Sequence, residues 1–136
     1  MDSYNTYKFE GASGVNAFLA VVMGAADGGC NLPGGANAKG FVGFTTDNLE
    51  SPGTGIAITV KRGRCRATAA GVITRGDWVN IAGASGKVQS CQAAVDAAPG
   101  TPADTYVIGK AETTTAADGD PIVIQTMEFV AKVATS

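Results

Sequence analysis

Enzyme chemistry needs nucleophiles, general acids and bases, or metal ligands, and this chain is sparing with all of them. There is no histidine among its 136 residues. Every Ser-His-Asp or Cys-His nucleophilic scheme and every histidine-ligated metal site is thereby excluded. The three cysteines, Cys30, Cys65 and Cys91, lie too far apart in sequence for a CxxC metal or redox motif. Three thiols cannot all pair within one chain, so the expectation is reduced cysteines packed as small apolar residues. Gly83-Ala84-Ser85-Gly86-Lys87-Val88 lacks the glycine spacing and the Ser/Thr after lysine of a phosphate-cradling loop. Asp118-Gly119-Asp120 offers two carboxylates, too few to mark a calcium site, and reads better as a hairpin turn. Asp27, Asp47, Asp77, Asp96 and Asp104 mostly occupy turn positions, where aspartate bonds its own backbone. None forms a recognisable acid/base pair. The expectation is a protein without catalytic residues, metal or cofactor.

What remains is chemistry of adhesion. Lys61-Arg62-Gly63-Arg64-Cys65-Arg66 is the one dense basic run, in a chain with 10 basic against 12 acidic side chains. Nucleic acid calls for a basic surface that releases counterions, so Lys61, Arg62, Arg64 and Arg66 are read as candidates for docking to protein. Trp78 is the single tryptophan. It reads as core or barrel rim, or as a contact hot spot, a role in which tryptophan is enriched. Tyr4, Tyr7 and Phe9 stand in the first dozen residues without the aliphatic neighbours that build a core. Residues 1–12 are therefore read either as an extended arm strapped onto a neighbouring subunit or as a terminus packed on its own domain.

These residues must be carried by β structure. Helical periodicity is nearly absent, while short runs rich in Val, Ile, Thr and Phe alternate with Gly, Pro, Asn and Asp turns. Strands are expected near Phe18–Met23, Gly40–Thr46, Gly55–Lys61, Arg64–Thr68, Asp77–Ala82, Lys87–Cys91, Tyr106–Glu112, Pro121–Met127 and Phe129–Val133, with one short helix at Gln92–Ala98. Pro52-Gly53 and Pro99-Gly100 read as turns among others. Many short strands argue for a small all-β barrel or sandwich, one domain over residues 13–136. Only 16% of the residues are charged and 45% are apolar, which points to surface hidden in an assembly. The longest apolar stretch, Ala17 to Ala26, is far short of the ~20 residues that span a bilayer. Asp2 and Glu10 before it fit a signal peptide poorly, so the protein is expected to start at Met1, to be made in the cytoplasm, and to be neither anchored nor exported.

An internal echo supports duplication. Phe41-Val42-Gly43, Gly53 and Ile56-Ala57-Ile58 align without gaps on Val107-Ile108-Gly109, Gly119 and Ile122-Val123-Ile124. Each copy, residues 41–60 and 107–126, reads as two strands, the first with a glycine where another segment passes close. Two such units facing each other about a pseudo-twofold axis are expected to close one barrel.

Ala70-Gly71-Val72-Ile73-Thr74-Arg75-Gly76-Asp77-Trp78-Val79, then Ser85-Gly86-Lys87-Val88, Tyr106-Val107-Ile108-Gly109-Lys110-Ala111 and Ala117-Asp118-Gly119-Asp120-Pro121-Ile122-Val123-Ile124 resemble the phage capsid cement, or head-decoration, family. The likeness covers the second half of the chain well and the first half more loosely. It implies a β-tulip or barrel-like domain on the outer surface of a virion, bound between major capsid protein subunits. It also implies self-association, with a trimer favoured over a dimer, and no active site. Two other readings stay open. One is a β module of a virion surface or adhesin that binds carbohydrate or a host; the other is an enzyme or accessory domain of a sugar-processing type.

Overall fold

Alternation of apolar and polar residues decides the architecture. In the computed structural model, which describes residues 2–11, 13–49, 55–97 and 104–132, nearly every element is a strand. β1 (Ser3–Phe9), β2 (Ala20–Met23), β3 (Gly29–Asn31), β4 (Phe41–Thr45) and β5 (Ile56–Arg62) are followed by β6 (Arg64–Ala70), β7 (Trp78–Ile81) and β8 (Val88–Ser90). The short helix α1 (Gln92–Ala97), β9 (Thr105–Ala111) and β10 (Asp118–Ala131) complete the order. The expected all-β, barrel-like fold is borne out.

The strands close two barrels, each of five strands, in the orders β1-β3-β2-β4-β5 and β10-β6-β8-β7-β9. Closure pairs the edges that an open sheet would leave bare. In the first barrel β1 runs parallel to β3 and antiparallel to β5; in the second β6 runs parallel to β8 and antiparallel to β10. Every other pairing also has its counterpart. Isolated bridges join Val15 to Leu49 and, correspondingly, Ile73 to Thr115. The Thr45 N–H donates to Leu19 O at 2.9 Å, as the Ala111 N–H does to Asp77 O at 2.8 Å.

The repeat is therefore larger than the echo in the sequence. Each copy is a complete five-stranded barrel, and the two-strand unit is only its last part. The gap-free alignment also slips by two residues in its second strand. Phe44 faces Lys61, whereas Lys110 faces Gln125, so Ile58 and Val60 correspond to Ile122 and Ile124. Burial agrees: Ile58, Val60, Ile122 and Ile124 are core residues, while Ile56 is exposed. A shift of two keeps every side chain on its own face of the sheet, which is why the apolar pattern concealed it.

The segment read as an extended arm is a strand of the first barrel. All seven residues of β1 are in register with β5, from Ser3 opposite Arg62 to Phe9 opposite Ile56. Phe9 is buried in a cluster with Val15, Val21, Cys30, Val42, Ile58 and Val60. Met1 and Ala12, and the expected turns at Pro52-Gly53 and Pro99-Gly100, lie outside the described residues.

The barrels join head to tail. A face of the first barrel carrying Phe18, Ala20 and Phe44 receives the second barrel's β6 and the loop at Gly86. Ala20, Phe41 and Phe44 belong to the same apolar cluster as Cys65, Ala67, Ala69 and Ile81. The Ala20 N–H donates to Gly86 O at 2.8 Å, and the Thr68 hydroxyl to Phe18 O at 3.1 Å. Gly86 has a positive φ, and a Cβ there would lie 2.8 Å from Ala20 O, so the junction requires glycine. Asn37 rivets the same junction: its N–H donates to Ile81 O at 2.8 Å, its side-chain amide to Asp104 O at 2.7 Å, and its Oδ1 accepts from Tyr106 N–H at 2.8 Å. Different faces of the two barrels meet, so the expected pseudo-twofold arrangement is replaced by a heterologous one.

Candidate docking surfaces

The eight residues singled out for adhesion do not form one patch. Tyr4 is 59% exposed on β1, directly opposite Lys61 in the ladder, with the Lys61 ammonium 5.4 Å from its ring centre. Asp2 joins them, 3.3 Å from Lys61 Nζ and accepting from the Arg64 N–H at 2.9 Å. That N–H first, and Lys61 next, hold the Asp2 carboxyl below its ordinary value. Arg66 is exposed, its guanidinium 4.5 Å from the Phe18 ring centre. Tyr4, Lys61 and Arg66 line one hollow of about 200 Å³ together with Phe18, Phe44 and Cys65.

The others part from this group for identifiable reasons. Phe9 cannot touch a partner, because it is 1% exposed in the first barrel's core. Tyr7 is half-buried against that core. Arg62 works inside the chain: it is paired with Glu128 across the two barrels and lies 5.6 Å from the Phe41 ring centre. Arg64 donates to Glu112 at 2.6 Å and lines a second hollow, of about 420 Å³, with Arg75, Lys110 and Met127. Trp78 packs edge-on against Phe129, ring centres 4.9 Å apart, and the Lys110 ammonium sits 5.0 Å from its ring. Half-buried between these contacts, it is a rim residue whose neighbour Lys110 lines the second hollow.

The two hollows are duplicates. Phe18, Phe44, Thr45, Thr46 and Lys61 of the first stand where Gly76, Lys110, Ala111, Glu112 and Gln125 stand in the second. Sequence reasoning passed over Arg75, Lys110 and Gln125 because the duplication, once taken over its full length, is the signal that exposes them. The first hollow is walled on one side by the second barrel's Cys65 and Arg66. The second is lined by residues of its own barrel alone.

The remaining chemistry-bearing candidates have structural duties. Asp120 accepts from Ala116 N–H and Ala117 N–H, each at 3.0 Å, which shapes the turn into β10. Asp118 pairs with Lys87 at 3.0 Å. Among the described residues no group of three or more His, Cys, Asp or Glu side chains is placed to hold a metal. Among the described residues no helix is long and apolar enough to cross a membrane. Cys30, Cys65 and Cys91 are free and buried; burial pushes the first two thiols up to about 11 and the third to about 12.

Comparison with known proteins places this fold beside one found on a virus. No family model matches the chain, and no curated protein does. A solved structure, that of the head fiber gp8.5 N base in bacteriophage phi29, superposes over 100% of both chains with a TM-score of 0.59 and 14% identity. The two proteins share a fold. The agreement spans the whole length of both chains.

Proposed function

We propose that this protein is a capsid decoration, or cement, protein, attached to the outer surface of an assembled phage head where major capsid protein subunits meet. The observation that carries the reading is the full-length likeness to a phage head fiber base. Two further features support it. The chain spends few charges on its surface, and its exposed apolar side chains, Tyr4, Met23, Ile56, Val72, Met127 and Val130, are spread over several faces as a protein with several contacts requires. Its work is adhesion, with no bond made or broken.

Cementing is a linkage effect. A protein that binds the expanded lattice and not its loose subunits stabilises that lattice by its binding free energy, and many copies on one shell add. Bridging two capsomers turns the second contact into an intramolecular one. The partner in this reading is the major capsid protein, with a second copy of this chain beside it. A trimer is the favoured assembly, and neither nucleic acid nor membrane takes part. The protein is made in the host cytoplasm and ends on the virion.

Purified protein added to phage heads that lack it, followed by sedimentation and cryo-electron microscopy, tests the proposal. Saturable density on the outer shell, with a higher temperature of DNA release, is the expected result. Free protein and undecorated shells at saturating concentration would overturn it. A second reading, the foot of a projecting fibre, is favoured by the neighbour being a fibre base. Density on the shell without any gain in head stability would select it.

A further inference from the structure

The second barrel repeats a face whose counterpart in the first barrel is already occupied. In the first barrel that face receives an extended strand: β6 lays Cys65 and Arg66 against the hollow, Arg66 stacking on Phe18 and the Thr68 hydroxyl donating to Phe18 O. Chain connectivity explains how the strand arrives. After β5 the chain turns at Gly63, with φ of 105°, and doubles back as β6. After the equivalent part of β10 it continues instead in the same strand, past an irregularity between Thr126 and Phe129, pairing Phe129 with Val107 and Ala131 with Thr105. Among the described residues, only strands of its own barrel border the second hollow, and no residue of the first barrel lies against it.

Chemistry has changed along with occupancy. Phe44 is replaced by Lys110, Phe18 by Gly76, and Ala17 by Arg75. Arg64 also borders the hollow, so three cations surround one carboxylate, Glu112, in a chain whose net charge is −2. Glu112 is engaged by Arg64, which leaves Arg75 and Lys110 as the positive excess. The first hollow takes a cation onto an aromatic ring; the second offers cations and asks for the opposite sign. Part of the face has also been sealed. Where Ala20 N–H reaches Gly86 O of the other barrel, Trp78 N–H is met within its own barrel by Gln92 Oε1 at 2.9 Å. The site is thereby narrowed to the side bordered by Arg75, Lys110, Gln125 and Met127.

We propose that this hollow docks an extended, acidic strand of a partner protein, laid along it as β6 is laid along the corresponding face of the first barrel. Opposite charge supplies direction and on-rate, and the exposed Met127 supplies an adaptable apolar contact. The inference rests on the reading of this protein as an adhesion module, and its test needs no capsid, so failure of either can be told from failure of the other.

The test is a titration of the ¹⁵N-labelled full chain with an acetylated hexapeptide of alternating glutamate and alanine, and with the lysine-alanine peptide as its counterpart. The expected result is saturable shifts at Arg75, Gly76, Lys110, Ala111 and Gln125 with the acidic peptide only. Arg75→Glu with Lys110→Glu should weaken the titration by at least about tenfold, as reversal of two charges implies, with the remaining spectrum intact to show that the fold persists. Equal responses to both peptides, shifts centred elsewhere, or no shifts at millimolar peptide would overturn the proposal. Shifts of the same resonances on raising protein concentration without peptide would overturn it in favour of a second copy as the occupant.

Discussion

Truncating Phe9 to alanine separates a strand from an arm. If residues 3–9 were a strap, the aromatic ring would matter for attachment and little for stability. In the barrel Phe9 is 1% exposed and packs with Val15, Val21 and Cys30 beneath β1. Losing a buried phenylalanine ring costs about 3–5 kcal/mol, against about 5–15 kcal/mol for the whole stability of a domain. The midpoint of thermal unfolding should fall by roughly 10–20 °C. Tyr4→Ala is the matched control, since its ring is mostly exposed and its contact with Lys61 is worth under about 1 kcal/mol. Urea unfolding followed by circular dichroism gives both numbers. Hydrogen exchange should place the Phe9→Ala loss first in β1 and its ladder partners β3 and β5. Equal and small effects of the two substitutions would refute the assignment of Phe9 to a core.

Other perturbations test the duplicated packing and the thiols. A Cβ at Gly109 would sit 2.5 Å from Ile124 Cγ2 and 2.7 Å from Gln125 O, so Gly109→Ala should destabilise by about 1–3 kcal/mol. Gly71→Ala, with nothing within 4 Å of the added atom, should stay within about 1 kcal/mol of the parent in the same melt. The three buried thiols hold their protons to about 11, 11 and 12 against an ordinary value of 9.0. Above pH 9 the unfolded chain therefore carries fewer protons than the folded one, and stability must fall as pH rises towards 11. Replacing all three with alanine should flatten that part of the profile; an unchanged slope would show that other groups set it.

Much of the β structure was written in local pattern. Ile56, Ile58 and Val60 lie on one face of β5, and Trp78 opens β7 where the sequence placed a strand. The helix begins at Gln92 as expected and is described to Ala97. What escaped depended on partners distant in sequence. β1 has polar residues at most positions because six of its seven residues are exposed or half-buried, so only its pairing with β5 reveals it as a strand. β3 is three residues, Gly29-Cys30-Asn31, of which two are common in turns. Two expected strands, Pro121–Met127 and Phe129–Val133, are one strand with an irregularity between Thr126 and Phe129, because a bulge interrupts alternation without ending the ladder; Val133 lies outside the described residues. For the candidate site, the basic run was visible but its division was not. Arg62 is spent on Glu128, Arg66 on Phe18, and Arg64 on Glu112 at the rim of its own barrel. No one-dimensional pattern could assign those three fates.

The head-to-tail junction also makes the two halves of the chain unequal. β1 to β5 all precede the second barrel in the chain, and the ladder between Ser3 and Arg62 closes the first ring from those strands alone. Its Phe18 and Phe44 then await a cover that only later residues bring. The first half of the chain thus carries an apolar face that the second half of the same chain buries.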